Sequence, residues 1–539
     1  MNSVTTARAT AQARAQRAWE HPRTPWLVLA ALSVLAFVTI RRAADGLFFF
    51  GDEWAFLLHR RGVSLETFFA PHNEHPSAVP VFAYKAQLAV FGMTSVTPFQ
   101  VLVALMHIAT GIVVFLYARR RVGAHLALVP AALMIFLGAA WEDVMWPFQI
   151  GFIGSVLFGI VALLALDDRR DWLACAALVL STMSSGLGLP FLGIALIEIL
   201  WDERRWRRVW VIVVPALLVA VSLFGYGGGD HGSLTSPSAA VRWGVDMVAA
   251  GFGGFGALGI DWGRPLMLAA GIAFVLGVRS GRVAVGPRLV ALLLGLAACA
   301  MLIGSGRAGL QQAPDTSRYV HISAALLLLI AVTALGRTAV TRSGGLAIAA
   351  VTALACFASL SVFKDGPFNH RVNAEPLKMQ LAALELRRNE VAPGVQVGAP
   401  ALGIRAVSYF SATDKFGSPA PTLDEVRAAP DEARQVFDGT LAGLDQLALT
   451  PATGGAGGTC STTAPGQEAE LAPGARYRFT ATGAGALKLR RLATTVQADA
   501  TPWALPDGTP LELALTGDAL PEPWRAAITG ASVRVCRVG

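Results

Sequence analysis

Long apolar segments alternate with short basic loops along the first two-thirds of the chain. Segments such as 98–117 and 343–363 contain no Asp, Glu, Lys or Arg, and a helix of about 20 apolar residues crosses the hydrocarbon core of a bilayer. We therefore predict eleven membrane spans. They lie at about 25–40, 98–117, 122–139, 150–166, 172–185, 188–200, 209–226, 265–278, 289–305, 320–336 and 344–362.

A further apolar segment, 241–260, contains four glycines, Gly251, Gly253, Gly254 and Gly256. Counting it as a twelfth span would place the basic cluster at 279–288 on the opposite side from the other clusters. We therefore predict a re-entrant or interfacial segment.

Arginines determine the predicted orientation, since basic residues concentrate in cytoplasmic loops. Residues 1–24 carry four arginines against Glu20 and no cleavable small-residue site, which indicates a retained cytoplasmic tail. Basic clusters then recur at every second loop, at 119–121, 169–170, 204–208, 279–288 and 337–342. An odd number of spans places the C-terminal part outside the cytoplasm. We expect the chain in a bacterial cytoplasmic membrane.

Composition supports a membrane protein, with 54% hydrophobic and only 15% charged residues, against about 25% charge in soluble domains. This excludes a cytosolic enzyme, a fibrous protein and a disordered chain. The net charge of +8 follows from the loop arginines, so the expected partner is the lipid bilayer and no nucleic acid.

After residue 362 charges return and long apolar runs end. Residues 363–453 predict an α/β segment, with helices at 375–388 and 422–449 and one or two strands at 394–407. Residues 454–458 form a glycine joint, and 454–539 predict a small β-sandwich from short alternating runs. This module is either an accessory fold or a binding domain for a sugar, polymer or partner. Its two cysteines, Cys460 and Cys536, predict a disulfide in an oxidising compartment.

The predicted outer loop at 41–97 contains the first acid pair, Asp52 and Glu53, directly after the aromatic run 48–50. We predict short helices along the membrane interface here, where aromatic residues prefer to lie. A partly desolvated carboxylate has a pKa suited to a general base. An ordinary solvated loop pair remains the alternative.

The same loop contains His72, Asn73, Glu74 and His75, followed by Lys85. Two imidazoles with a carboxylate between them suit a divalent cation or a proton relay, and a hydrogen-bonded loop cap is the alternative. The metal-ligand candidates are Asp52, His72, Glu74 and His75. The cofactor stays unknown, with a divalent cation as the open choice.

A second acid pair, Glu142 and Asp143, lies between two tryptophans at the outer end of the third predicted span. Arg307, Arg318 and Tyr319 lie on the predicted outer side near the tenth span. Arginine offers a planar set of donors that fits a phosphate. Snorkelling arginines at the interface would give the same pattern.

Taken together, the basic N-terminus, the acid pair after the first span, the long outer loop and the exported C-terminal part resemble the GT-C superfamily of membrane glycosyltransferases. That superfamily includes protein O-mannosyltransferases, aminoarabinose transferases of lipid A and arabinofuranosyltransferases of actinobacterial cell walls. The resemblance covers the predicted membrane domain, 25–362, and its sharpest motif is Gly51-Asp52-Glu53. The implied fold class is a polytopic α-helical membrane protein with about eleven helices, followed by the α/β segment and the β-sandwich.

The resemblance implies inverting transfer of a sugar from a polyprenyl-phosphate donor to a glycan, lipid or protein acceptor of the cell envelope. Asp52 then corresponds to the general base, with Glu53 in support. Glu142 or Asp143 corresponds to the second acidic loop, and Arg307 and Arg318 to residues that hold the donor phosphate. The sequence lacks a tryptophan-rich acceptor motif, and its 72–75 segment is not a superfamily signature, so sugar and acceptor stay unnamed.

Two other functions compete with this one. A transporter or flippase of a lipid-linked sugar would use the same acids and arginines only for binding, but the sequence shows no internal repeat of the kind transporters often have. A non-catalytic membrane scaffold with an exported binding domain would leave the outer acids and arginines without a role.

Overall fold

The computed structural model describes residues 21–227, 235–310, 312–336, 341–453 and 458–538. The basic tail before residue 21, Arg337 and the glycine joint at 454–457 lie outside this part of the chain. The chain divides into two compact units, described separately below. The first, called the membrane domain, comprises Met1–Leu47, Arg60–Val90 and Val96–Asn369, and the second, called the C-terminal unit, comprises Phe48–His59, Phe91–Ser95 and His370–Gly539.

Helices account for the membrane domain and for part of the C-terminal unit. In chain order they are α1 Thr24–Ala43, α2 Glu53–Leu58, α3 Leu65–Phe69, α4 Ala78–Phe91, α5 Thr97–Val122, α6 Leu128–Ile135, α7 Trp141–Met145, α8 Ile150–Asp167, α9 Asp171–Ser184, α10 Leu189–Trp201, α11 Arg205–Arg208, α12 Trp210–Ala220, α13 Pro237–Gly254, α14 Gly259–Arg279, α15 Pro287–Arg307, α16 Ser317–Leu335, α17 Arg342–Asp365, α18 Phe368–Leu386, α19 Ala406–Phe416, α20 Leu423–Ala428 and α21 Asp431–Leu444.

Seven helices of the described residues are long and apolar enough to cross a membrane. An eighth span results if α6 and the segment 138–145, which are bent by 41° at a short break, count as one. Each of the eleven predicted spans coincides with a helix or with this bent pair. The polytopic helical fold is therefore confirmed, while three predicted spans are too short for a simple crossing.

These three short helices are α9, α10 and α12, with 14, 13 and 11 residues. At 1.5 Å per residue, α9 measures about 21 Å. With their adjoining turns, α10 and α12 belong to the helices Gly186–Trp201 and Trp210–Gly225, which measure about 24 Å each, whereas the hydrocarbon core is about 30 Å thick. A π-helical turn, Val221–Gly225, extends α12. Hydropathy alone reported that these segments are apolar, but not where each helix ends.

Among the apolar helices, the one that contains α8 is the most enclosed. In its most apolar 18-residue stretch 83% of the residues are buried within the domain, whereas in that of α14 only 6% are. A helix with so little burial presents its apolar side chains to lipid. The core around α8 includes residues of α5, α10, α15 and α16. The membrane domain thus has central helices that pack on protein and peripheral helices that face the bilayer.

The segment 241–260, predicted to be re-entrant or interfacial, comprises the last 14 residues of helix α13, the turn at 255–258 and the start of α14. Helix α13 is not among the helices long and apolar enough to cross a membrane, and the prediction stays open. Two glycines of α13 and α14 serve close packing. A Cβ on Gly253 would collide with the carbonyl oxygen of Gly259, and one on Gly263 with that of Ala249. Small residues let the backbones of α13 and α14 approach each other, which the glycine count alone did not reveal.

The C-terminal unit combines helices with two antiparallel sheets. The strands are β1 Gln396–Val397, β2 Ile404–Arg405, β3 Thr450–Pro451, β4 Cys460–Thr463, β5 Glu468–Leu471, β6 Arg476–Ala481, β7 Gly485–Arg490, β8 Trp503–Leu505, β9 Leu511–Ala514, β10 Trp524–Thr529 and β11 Val533–Val538. One sheet has the order β3-β9-β6-β11-β4 and the other β5-β10-β7-β8, with a separate β1-β2 ribbon. Inward residues such as Phe479, Trp524 and Val535 form one apolar core.

A buried ionic network connects the helical and β parts of this unit. Arg387, after α18, pairs with Asp445 at 2.6 Å and with Asp518 at 2.7 Å, and Arg491 pairs with Asp518 at 2.6 Å. The carboxylate of Asp438 accepts backbone N–H groups of residues 491–493. Because unpaired buried charges are costly, the two parts stabilise each other.

A disulfide joins Cys460 on β4 to Cys536 on β11, which are directly opposite in the sheet with their Cα atoms 4.0 Å apart. Reducing it is expected to lower the free energy of unfolding of the C-terminal unit by about 4 kcal/mol, because the bond closes a loop of 76 residues' separation. Thermal unfolding with and without reductant measures the effect. The Cys460→Ala/Cys536→Ala variant is the control, and its transition should no longer respond to reductant; an unresponsive wild type would contradict the prediction.

Candidate functional site

The second acid pair lies on α7, directly after the break in the bent helix pair. Both Glu142 and Asp143 are buried. The backbone N–H of Glu142 donates to Ser317 Oγ at 3.0 Å, and its carboxylate pairs with Arg318 at 3.1 Å. The break in the helix thus turns two carboxylates towards the start of α16, where a cation receives one of them.

Asp143 has a different environment from its neighbour. Both of its carboxylate oxygens are buried, and neither has a hydrogen-bond partner among the described residues. The same holds for the side-chain oxygen and nitrogen of Gln149 and for Nε of Arg318. Leaving such groups unpaired costs free energy, and a polar ligand that supplied their missing hydrogen bonds would recover it.

Aromatic rings surround these polar groups. The guanidinium of Arg318 lies 5.9 Å from the centre of the Trp146 ring, which contacts Phe148 at 5.1 Å. Phe148 in turn meets the ring of His72 edge-on at 5.4 Å. Rings beside paired charges exclude water, and charged groups interact more strongly where water is excluded.

The segment 72–75 forms a tight antiparallel bridge in which His72 and His75 exchange two backbone hydrogen bonds of 2.9 and 3.0 Å. Asn73 is exposed at the tip with a φ of 52°. His75 packs edge-on against Phe152 at 5.8 Å. A Cβ at Gly186 would lie 2.8 Å from its Nδ1, so glycine is required there to seat the imidazole.

Arg307 links this bridge to the start of α16. It pairs with Glu74 at 3.3 Å and lies within electrostatic reach of His75 and of Tyr319. The Tyr319 hydroxyl donates to Gln312 Oε1 at 2.8 Å. The structure therefore brings together most of the candidates that sequence reasoning named separately: His72, Glu74, His75, Glu142, Asp143, Arg307, Arg318 and Tyr319.

Lys85 has another task. Its ammonium donates to the backbone carbonyls of Arg61, at 3.0 Å, and of Gly62, and it lies 5.3 Å from the centre of the Phe68 ring. These contacts fix the turn before α3. These are contacts that stabilise the local backbone, and the role of Lys85 in substrate binding stays a prediction.

No group of three or more His, Cys, Asp or Glu side chains within the described ranges is arranged to hold a metal ion. Of the four metal-ligand candidates, Asp52 belongs to the C-terminal unit and His72, Glu74 and His75 to the membrane domain. Glu74 pairs with Arg307.

The first acid pair is held by its own turn in the C-terminal unit. Gly51, with a φ of 57°, reverses the chain, and the Glu53 carboxylate accepts the backbone N–H of Phe50 at 2.7 Å. Glu53 is fully buried, whereas Asp52 is only half-buried at the start of α2. Glu53 therefore supports the turn, and Asp52 remains accessible to a reactant.

Aromatic packing fixes this turn further. Trp54 contacts Phe49 at 6.0 Å and Tyr409 at 6.4 Å, and Phe50 stacks on His370 at 4.3 Å. The apolar run before Asp52, expected at the membrane surface, thus packs on residues of the C-terminal unit. Its rings hold the backbone that carries Asp52 in one conformation.

Two histidines that sequence reasoning missed lie in the helical core. His107 Nε2 is 3.0 Å from the carbonyl oxygen of Ile135, so it donates, and neutral His107 then accepts at Nδ1 from His321 Nε2 at 3.3 Å. This leaves His321 Nδ1 as a buried acceptor without a partner in the described part of the chain. His321 lies three residues, about one turn, after Arg318. Lone polar residues in apolar spans were the available signal.

Acid is expected to destabilise the protein through His75. Burial, followed by the charges of Arg307 and His72, lowers the pKa of His75 to about 4. Since an unfolded histidine titrates near pH ~6.5, the unfolded chain binds the extra proton, and stability falls as the pH falls from about 6.5 towards 4. The expected loss is roughly 2 kcal/mol, allowing for solvent that still reaches the ring.

Thermal unfolding at about pH 7.5 and about pH 5 measures this acid sensitivity. The His75→Gln variant lacks the titrating ring and should show a smaller difference between the two melting temperatures than the wild type. His59→Gln replaces an exposed histidine and should leave the difference unchanged. Equal acid sensitivity in His75→Gln and wild type would contradict the assignment.

Comparisons with known proteins give limited information. No family model matches the chain, and no curated protein matches it. Among solved structures, it is similar to ArnT from Cupriavidus metallidurans bound to undecaprenyl phosphate, with 15% identity, a TM-score of 0.47, and coverage of 75% of this chain and 86% of that one. The chain is also similar to the apo structure of the same protein, with 16% identity, a TM-score of 0.47, and coverage of 76% of this chain and 91% of that one. A similarity at this level assigns neither an activity nor a substrate to this chain.

Proposed function

We propose that this protein is a membrane glycosyltransferase that moves a sugar from a polyprenyl-phosphate donor to an acceptor of the cell envelope. The observation that carries the proposal is Asp143, a buried carboxylate without a hydrogen-bond donor, next to the Glu142–Arg318 pair. A buried polar site of this kind, in a domain whose peripheral helices face lipid, suits a substrate with a polar head and an apolar tail.

The polar head divides into two parts with different needs. Sugar hydroxyls require acceptors and donors in fixed positions, which Asp143 and the Gln149 amide offer. A phosphate requires cations: Arg318 pairs with Glu142, the neighbour of Asp143, and Arg307 pairs with Glu74. Glu74 and Glu142 hold the two guanidiniums in place before the phosphate arrives.

The proposed reaction is an inverting displacement at the anomeric carbon. The acceptor hydroxyl gives its proton to a carboxylate while its oxygen forms the new bond to the sugar. The bond between the anomeric carbon and the phosphate oxygen breaks, and polyprenyl phosphate leaves with the electron pair. Arginines stabilise the charge that develops on the leaving phosphate, so no acid is needed to protonate it.

The proton acceptor that we propose is Asp52. It is half-buried and lies directly before α2. Glu53, which is buried and accepts the Phe50 N–H, fixes the turn and is proposed as its support. These roles follow the resemblance of Gly51-Asp52-Glu53 to the GT-C superfamily.

The proposal is tested with the full chain reconstituted in proteoliposomes that contain a labelled polyprenyl-phosphate sugar. With an envelope extract as acceptor, we expect the label to move into non-lipid product while polyprenyl phosphate accumulates in equal amount. Label that crosses the bilayer still attached to lipid would instead identify a transporter. Label that does neither would favour the scaffold.

A further inference from the structure

A second surface of the membrane domain has a composition that the proposed reaction does not use. The turn between α10 and α12 exposes Arg204, Arg205, Trp206 and Arg207. Four tryptophans of this turn and of the adjoining helix ends are exposed as well: Trp206 is 77% exposed, Trp172 69%, Trp201 61% and Trp210 41%. These seven residues are called the Arg–Trp surface below.

The acids beside this surface are already engaged. Arg208, which is buried, pairs with Asp171 at 2.6 Å and with Asp202 at 2.8 Å. Arg169 also pairs with Asp202, at 3.2 Å. These pairs connect the turn before α9 to the turn after α10, so Trp172 is held beside the three exposed arginines.

Arg204, Arg205 and Arg207 make no ion pair within the residues that the structure describes. One exposed acid, Glu203, lies among them. Three guanidiniums without ion pairs and several exposed indole rings in one turn are unusual for a protein surface in contact with bulk water. A surface of this kind is typical of the boundary between lipid headgroups and acyl chains, where tryptophan and arginine both concentrate.

The length of the adjoining helices places the surface at this boundary. The turn, which contains α11, connects α10 and α12, and α9 begins beside it. These three belong to the short apolar helices Asp171–Ser184, Gly186–Trp201 and Trp210–Gly225. Helices shorter than the hydrocarbon thickness draw their ends towards the core and thin the bilayer locally. The Arg–Trp surface therefore lies at the depth of the headgroup phosphates instead of in bulk water.

We infer that the Arg–Trp surface is a binding site for the phosphate headgroups of anionic phospholipids. Arginine supplies planar donors to phosphate oxygens, and indole rings lie at the glycerol level with their apolar faces against acyl chains. A zwitterionic headgroup adds a cation that the three arginines repel. Inorganic phosphate has the charge but lacks the glycerol and acyl chains that the tryptophans would contact.

The test uses the purified full chain in detergent with an equimolar mixture of phosphatidylglycerol and phosphatidylcholine, and counts retained lipids by native mass spectrometry. Each arginine near an anionic surface favours binding by roughly fivefold. We therefore expect the wild type to enrich phosphatidylglycerol at least about tenfold, and the Arg204→Gln/Arg205→Gln/Arg207→Gln variant to lose most of that enrichment. Because these side chains make no ion pair, the variant should keep the wild-type melting temperature.

The matched control removes three exposed arginines from the β-sheets, Arg476→Gln/Arg534→Gln/Arg537→Gln, and should enrich phosphatidylglycerol like the wild type. A further arm adds inorganic phosphate in excess, which should not displace the lipid. The inference is overturned if the wild type shows no preference, if the triple variant keeps the preference, if the control loses it equally, or if inorganic phosphate displaces the lipid completely.

Discussion

Asp52→Asn is expected to lower the rate of sugar transfer by about 100- to 10,000-fold while the protein folds and inserts normally. Asparagine has the same shape as aspartate but cannot accept the proton of the acceptor hydroxyl. The turn that carries Asp52 depends on Glu53 and Gly51. The measurement is transfer from a labelled polyprenyl-phosphate sugar in proteoliposomes, at equal amounts of inserted protein.

Asp45→Asn is the matched control, since Asp45 is an exposed acid in the same predicted outer loop, and we expect it to retain the wild-type rate. The pH profile adds a readout that a purely structural role would not change. The wild-type rate should fall as the base becomes protonated at acid pH, and the residual rate of Asp52→Asn should not follow that limb. Full activity of Asp52→Asn would remove it as the base.

The second large effect concerns the Glu142–Arg318 pair. Arg318→Gln is expected to reduce transfer by about 100- to 1,000-fold, the size of effect seen when a transition-state donor is removed. It is also expected to lower the free energy of unfolding by about 3 to 5 kcal/mol, because Glu142 is left charged and unpaired in a buried position. Transfer assays and chemical unfolding of the inserted protein measure the two losses separately.

The double variant Glu142→Gln/Arg318→Gln separates the two roles of the pair. With two neutral amides in place of the pair, Arg318 and its partner Glu142 are removed together and neither leaves the other unpaired. Most of the lost stability should therefore return, while transfer should stay low because the phosphate has lost its cation. A double variant that recovers transfer as well as stability would show that the pair is only structural.

The pair Arg427–Glu522, 2.8 Å apart and partly exposed, is the control for the stability measurement. Arg427→Gln should cost less than about 1 kcal/mol and leave transfer unchanged. If Arg427→Gln lowered the free energy of unfolding as much as Arg318→Gln, the loss would come from removing any arginine and not from leaving a buried carboxylate unpaired.

Much of the helical fold follows from sequence because apolar length is a local property. The positions of the predicted spans coincide with helices or with the bent pair. The fate of 241–260 depends instead on contacts between glycines of α13 and the backbone of α14. Periodicity shows that a segment is apolar, but close approach between two helices is a property of both together.

The site shows the same division. The residue types at Glu142, Asp143, Arg307 and Arg318 were recognisable as chemistry, because charges in an apolar chain are few. Which acid meets which arginine depends on contacts across 175 or more positions, and no spacing rule gives them. Gln149 is an ordinary polar residue in the sequence, and only the loss of every hydrogen-bond partner on burial distinguishes it.

Which segments of the chain form the C-terminal unit could be predicted only in part. Its helices, its strand positions near 477–489 and 511–515, and the two cysteines follow from local pattern. The membership of Phe48–His59 in this unit does not, because the segment is separated from the rest by the whole membrane domain. From sequence alone, an aromatic run after a first span is predicted to lie at the membrane interface, and only its packing partners show where it lies.

That membership determines the order in which this protein can be made. Residues 48–59 leave the ribosome early, while the remaining large segment of their unit begins at His370. At about 5 to 20 residues per second, Phe49 and Trp54 wait for roughly 20 to 70 s before Tyr409 is synthesised and can cover them. During that interval a buried turn of the finished protein is an uncovered apolar segment, available to chaperones, to proteases and to the bilayer surface. A truncated chain that stops before His370 would keep it in that condition permanently.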